Sequence, residues 1–360
     1  MAASHRLRTV ESWCPWSSLA WSVDCMVMLE NAHGLRAEIA QRGAALAGMW
    51  VPDRDGQFAD VVLGHAEQSQ RTSGRSFFGA SIGRLAGRIS TAGFVLDGQH
   101  HRLDSVDGLT AHHGGPDGFD GRDWQWLGVR RDRARLQLVS PHGDQGFPGA
   151  LTITVDYRLD DTDTLHVDYA ATCDRPTVVN LTHHPFWNLA GEGAGVVDAH
   201  LLTLPASRMV ALGAALTPTG QRPEVAASAF DFRRARAIGH ALSAAGDAQL
   251  QVAGGLDHYW ILDAPADAGV RPAARLQDPH SGRVLDVLSD QPGVQVYSGN
   301  FLDGSLQGAS GRPYHARAAL CIEPQAYPDA MNQPAFPDIT LQPGAVYRNR
   351  IRYRFSKDTK

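Results

Sequence analysis

Two segments far apart in the chain carry groups suited to moving protons on a neutral, hydroxyl-rich ligand. Asn180-Leu-Thr-His-His-Pro-Phe-Trp-Asn188 sets His184 among amides and aromatics, and Cys321-Ile-Glu-Pro-Gln-Ala-Tyr-Pro-Asp329 sets Glu323 beyond an apolar run. A carboxylate is ionised at neutral pH and an imidazole sits near its midpoint, so the two can serve as base and acid together. A sugar presents hydroxyls at its rim and C–H groups on its face. Asn180, Thr182 and Asn188 beside Phe186 and Trp187 are expected to meet both. For His184 that local composition leaves catalytic and structural roles open. Glu323 is the better candidate on local physics. It follows Ala318-Ala-Leu-Cys-Ile322, and strand alternation puts Cys321 and Glu323 on one face. A carboxylate there is costly to bury unless it is paired or functional. The plain alternative is a glutamate emerging into solvent at the strand end.

Both residues precede proline, in His184-Pro185 and Glu323-Pro324. Proline holds the preceding residue in extended geometry and removes an amide that could occupy its side chain; it can equally end a strand at a sheet edge. His112-His113-Gly114-Gly115 and His183-His184 invite a metal reading. Neighbours on a strand point opposite ways, so neither pair is expected to chelate from one side. A mixed site of His113, His184 and Glu323 stays open, without HxH or HExxH spacing to support it. Arg88, in Gly83-Arg-Leu-Ala-Gly-Arg-Ile89, could fork onto vicinal hydroxyls or remain a surface charge. Asp257, after Gly254-Gly255, could accept from hydroxyls or mark a turn-to-strand junction.

The elements that must position these groups read mostly as strands. Leu151-Thr-Ile-Thr-Val-Asp-Tyr-Arg-Leu159 alternates with period two, Leu165-His-Val-Asp-Tyr169 follows after a turn, and Tyr347–Phe355 repeats the pattern with arginines on the wet side. Gly and Pro punctuate the chain throughout, and only about Arg233–Leu250 looks helical, weakened by Gly239 and Gly246. The expected fold is all-β: one large antiparallel β-sandwich with very little helix. Residues 26–356 are expected to form that single domain, after an extension over residues 1–25 and before a polar tail at 357–360.

Composition removes several classes of function. The 360 residues are 43% hydrophobic and 20% charged, with a net charge of -5 and pI near 6.3. This gives no electrostatic reason to bind nucleic acid or an anionic membrane, and no segment approaches the roughly 20 apolar residues of a membrane span. Lysine occurs only at Lys357 and Lys360, against a Schiff-base or pyridoxal phosphate mechanism. No phosphate loop or dinucleotide fingerprint is present, so neither an organic cofactor nor a resident metal is expected. Cys14, Cys25, Cys173 and Cys321 lack CxxC spacing, which suits a reducing, cytoplasmic compartment.

Taken in order, the segments resemble the aldose 1-epimerase (galactose mutarotase) family. The resemblance is carried by GRLAGRI (83–89), HHGGPDGFDGRDW (112–124), NLTHHPFWNLAG (180–191), FDFR (230–233), GLDHYWIL (255–262), QPGVQVYSGNFLDG (291–304) and CIEPQAYPDAMNQPAFP (321–337). It implies a β-supersandwich and a monosaccharide substrate, with the chain a monomer or homodimer. In the implied roles Glu323 is the general base on the C1 hydroxyl and His184 the general acid at the ring oxygen. His113 hydrogen-bonds the sugar around that oxygen, and Arg88, Asp257 and Gln295 hold ring hydroxyls. There are departures: Gly87 replaces the usual asparagine, His183 and Phe186 stand where asparagine and tyrosine are common, and Pro324 replaces threonine. These bear on sugar preference more than on the acid and base. The competing expectations are a non-catalytic sugar-binding or sensor protein on the same fold, and a metal-dependent lyase or hydrolase using the histidines.

Overall fold

A computed structural model describes residues 25–67, 70, 75–244, 246–265 and 269–358. Apart from Cys25, the expected extension over residues 1–25 lies outside the described residues, as do the last two residues of the 357–360 tail.

Alternation produced the strands it predicted. Leu151–Leu159 and Thr164–Cys173 pair antiparallel from Leu151 opposite Cys173 to Leu159 opposite Leu165, and Tyr347–Lys357 adds on the far side of the second strand. Asn349, Ile351, Tyr353 and Phe355 are buried, while Arg348, Arg350 and Arg354 are exposed. These strands are part of a nine-stranded antiparallel sheet that continues through Arg283–Ser289 and Arg271–Gln277. A five-stranded antiparallel sheet runs in the order Phe186–Trp187, Leu320–Gln325, Gly293–Tyr297, Asp257–Ile261, Arg208–Val210. Its inner face (Trp187, Ile322, Val294, Val296 and Trp260) joins Ile153, Val155, Val167, Leu285 and Ile351 of the larger sheet in one continuous core. The chain is therefore the β-sandwich expected. Burial of so many branched and aromatic side chains between two sheets supplies the main stabilisation.

The helical expectation needs correction. Arg236–Ala237 is a strand pairing with Leu201–Thr203, and the rest holds two short helices, Ile238–Leu242 and Ala248–Ala253. Gly246 falls between them, and Asp247 starts the second by accepting from the amides of Gln249 and Leu250. The second helix stops at Gly254, whose φ of 66° is the left-handed end that glycine permits.

Pro324 does not end its strand. Leu320–Gln325 runs on through it, with Pro324 opposite Val294. Pairing with Phe186–Trp187 covers only Leu320 and Cys321, so the missing amide breaks no ladder bond on that side.

Candidate active site

Register across the five-stranded sheet builds the floor of the site. Phe186, Cys321, Tyr297 and Asp257 stand side by side on four neighbouring strands. One pleat further on come Glu323, Gln295, Tyr259 and Val210, and beyond them Gln325 beside Gly293 and Ile261. The residues between these rows, including Ile322, Val294, Val296 and Trp260, point into the core. Cys321 and Glu323 share a face, as alternation required.

His184 enters from a different strand, Thr182–His184, paired with Ala80–Ile82. Its neighbour His183 points the other way, between the hydroxyls of Tyr157 and Tyr353, each 3.2 Å from a ring nitrogen. The Thr182 hydroxyl donates to the carbonyl of Pro324 at 2.9 Å. Asn180 exchanges two hydrogen bonds with the backbone of Ala326, at 3.2 and 2.9 Å. These bonds clamp the segments that carry His184 and Glu323 together. They also correct the expectation that Asn180, Thr182 and Asn188 serve a ligand. All three are buried, Asn188 donates to the carbonyls of Gly195 and Ala318, and Trp187 belongs to the core; of that group only Phe186 lines the cavity.

The side above the floor comes from two loops. Arg88 lies opposite His112 in a short strand pair. His113 then leaves extended geometry with φ at 49°, which brings its ring centroid 3.9 Å from that of His112. The expectation that these two histidines face apart is thus wrong: both line the cavity, because the strand ends between them. Gly114 (φ 83°) packs its α-carbon against the carbonyl of Gly83, where a side chain would collide, so the two loops can touch. The other arginine of that motif, Arg84, is buried and bonded to the carbonyls of Pro148 and Gly149; it is structural.

Together these walls enclose a cavity of about 210 Å³. All six residues singled out from the sequence (Arg88, His113, His184, Asp257, Gln295 and Glu323) line it. His184 Nε2 is 3.3 Å from Glu323 Oε1, with the two side chains only 5% and 2% exposed. His184 Nδ1 and Glu323 Oε2 have no hydrogen-bond partner among the described residues. Asp257 takes the Arg88 guanidinium on Oδ2 at 3.1 Å and the Gln295 amide on Oδ1 at 2.8 Å, a chain that fixes three polar groups. His113 Nδ1 accepts from the Gly87 amide at 3.2 Å.

Sequence reasoning missed the aromatic walls. Phe77 stacks near His113 and His184 at centroid distances of 4.9 and 5.9 Å, with the Arg75 guanidinium over its outer face at 4.7 Å. Tyr297 and Tyr259 were findable, since alternation places them on the faces of Gln295 and Asp257. No sequence signal marks Phe77.

Burial dominates the electrostatics. It pushes Glu323 well above the usual carboxylate range, helped by the negative charge of Asp257, and pushes His184 down to about 4. His112 and His113 are also held well below the ordinary histidine value, by burial and by neighbouring positive groups. For the coupled pair the direction is clear: burial favours the form in which both groups are uncharged. Donor atoms of His184, Cys321 and Glu323 lie within 4.8 Å of one another, so those three, in place of the His113 set considered from sequence, could reach one soft cation. Two of the three are the groups a proton transfer needs.

Comparison with known proteins agrees with this geometry. The sequence profile described as aldose 1-epimerase matches residues 26–354. The galactose mutarotase of Bos taurus is 39% identical over 322 residues, 89% of this chain and 91% of that protein. The aldose 1-epimerase of Escherichia coli K12 is 36% identical over 332 residues, 92% and 94% of the two chains. Among solved structures, the aldose epimerase homologue from C. elegans superposes with a TM-score of 0.86 at 30% identity, covering 93% of this chain and 99% of its own.

Proposed function

The chain belongs to the aldose 1-epimerase family, and on that premise we propose how its residues divide the work of interconverting the α and β anomers of free aldoses. It is an aldose 1-epimerase, and the substrates proposed for it are free aldoses such as galactose or glucose. Glu323 takes the proton of the C1 hydroxyl while His184 gives one to the ring oxygen, and the C1–O5 bond opens to the aldehyde. Rotation about C1–C2 presents the other carbonyl face, and the same two groups close the ring with their transfers reversed. The hydroxyl and ring oxygens sit on one carbon, so their base and acid must be near neighbours. The 3.3 Å separation of His184 and Glu323 at the cavity wall is the observation that carries this assignment.

The remaining residues bind and orient. His113 donates around the ring oxygen, Arg88, Asp257 and Gln295 hold hydroxyls, and Phe77, Phe186 and Tyr297 offer apolar faces to ring C–H groups. The reaction consumes no net proton. No helix among the described residues is long and apolar enough to cross a membrane. The compartment proposed is the cytoplasm, a reading supported by four cysteines without CxxC spacing.

Polarimetry of freshly dissolved α-D-galactose and α-D-glucose tests the assignment. Wild-type protein, with or without chelator, is expected to speed relaxation to an unchanged equilibrium, and Glu323→Gln to abolish nearly all of it. Retained activity in that variant would overturn the assignment of the base. Loss on chelation would point to metal chemistry.

A further inference from the structure

We propose that the Gln325 carboxamide and the recess left by Gly87 form a subsite that binds one hydroxyl of the aldose. This deepens the function proposed above and rests on it.

Gln325 is 1% exposed, yet neither its Oε1 nor its Nε2 has a hydrogen-bond partner among the described residues. An amide buried without partners is a net cost to a fold, and both ends are wasted here. Its backbone is fully engaged: the carbonyl accepts from the Tyr259 hydroxyl at 3.0 Å, with Tyr259 lying over Gly293, where a side chain would collide. The strand is therefore held firmly while the side chain stays free. That side chain lines the same cavity as Glu323, one pleat along the same face. Two residues of a strand advance about 6.8 Å, so the carboxamide faces a part of the ring remote from the atoms that Glu323 meets.

Gly87 keeps the space before the amide open. A β-carbon there would lie 3.0 Å from Pro328 Cβ and 3.8 Å from Gln325 Nε2. Pro328 and Gly87 both line this end of the cavity and bring no side-chain charge. A carboxamide with an unused donor and an unused acceptor suits a hydroxyl, which both gives and takes a hydrogen bond. An anionic group would leave Nε2 satisfied and Oε1 repelled.

The test pairs substrate and side chain. kcat/KM is measured for an active aldose and its 2-, 3-, 4- and 6-deoxy analogues, in wild type and in Gln325→Leu. In wild type one analogue is expected to lose roughly five- to tenfold more than deletion of an uncontacted hydroxyl. That excess should vanish in Gln325→Leu, while each other analogue, including those lacking hydroxyls held by Arg88, Asp257 and Gln295, keeps the same relative loss in both proteins. A uniform fall for every analogue would mean a structural role and overturn the proposal. Should Gln325→Leu fail to fold by circular dichroism, Gln325→Met, similar in size and lacking the amide's donor and acceptor, is read by the same criterion. An inactive wild-type protein would instead sink the function proposed above, so the two failures are distinguishable.

Discussion

His184 Nε2 and Glu323 Oε1 stand 3.3 Å apart, on strands that share no ladder and are tied by the Thr182 hydroxyl to the Pro324 carbonyl. Burial favours the uncharged arrangement of this pair, with the proton on Glu323. In the proposed mechanism, ring opening begins from the charged arrangement and ends in the uncharged one: the base gains a proton as the acid loses one. A dry wall thus favours the proton distribution that accompanies the open-chain aldehyde, and the ion pair is needed only transiently.

Removing either partner should cost rate far more than binding. Glu323→Gln and His184→Asn are each expected to lower kcat by ~10²–10⁴-fold with KM changed only a few-fold. Single-variant kinetics by polarimetry check this, and a variant in which KM alone rises would move that residue from chemistry to binding.

The pH profile follows from proton count. Activity requires one proton on the pair, wherever it resides. Taking a second proton, near the value of about 4 to which His184 is pushed, gives the acid limb. Losing the last one, as the raised Glu323 carboxyl ionises, gives the alkaline limb. Ordinary side-chain values would give the opposite assignment, acid limb to glutamate and alkaline limb to histidine. His184→Asn should therefore erase the acid limb in residual activity; loss of the alkaline limb would restore the simpler assignment.

Asp257→Asn should act twice. It replaces one of the two oxygens that accept from Arg88 and Gln295 with an amide donor, so KM should rise roughly tenfold. It also removes a negative charge that raises Glu323, so the alkaline limb should move to lower pH. A limb that stays put while KM rises would limit Asp257 to binding.

Stability should fall with acidification between about pH 6.5 and 4.5. His183 and His258 (about 3), His184 and His200 (about 4), and His112 and His113 all have lowered values in the fold. Unfolding in that window lets them take protons the native state refuses, so their contribution is present above the unfolded value and lost as pH drops. Asp60, raised to about 7, and Glu323 oppose this, being more protonated when folded. The histidines outnumber them, so thermal midpoints should decline; a flat or rising trend would contradict the buried neutral state.

Much of the fold was legible because period-two alternation is local: Leu151–Leu159 and Tyr347–Lys357 declare their buried faces residue by residue. Glu323 was legible for the same reason. The meeting of His184 with Glu323 was not, since nothing short-range says which strand crosses which; only the resemblance supplied it. Asn180 and Thr182 misled because the same polar groups that suit a sugar also suit a backbone clamp. His113 misled because one positive φ overrides the alternation rule. Gln325 was readable as the next residue on the face of Glu323, but its lack of partners is a property of three dimensions.

The Gly87 amide decides where His113 keeps its hydrogen. Because Nδ1 must accept from that amide, the neutral ring carries its hydrogen on Nε2, and burial beside His112 withholds a second one. His113 is thereby a one-way contact, able to hand a hydrogen to a lone pair and unable to collect one. In the proposed mechanism it steadies an oxygen without joining the exchange, and proton traffic stays confined to His184 and Glu323.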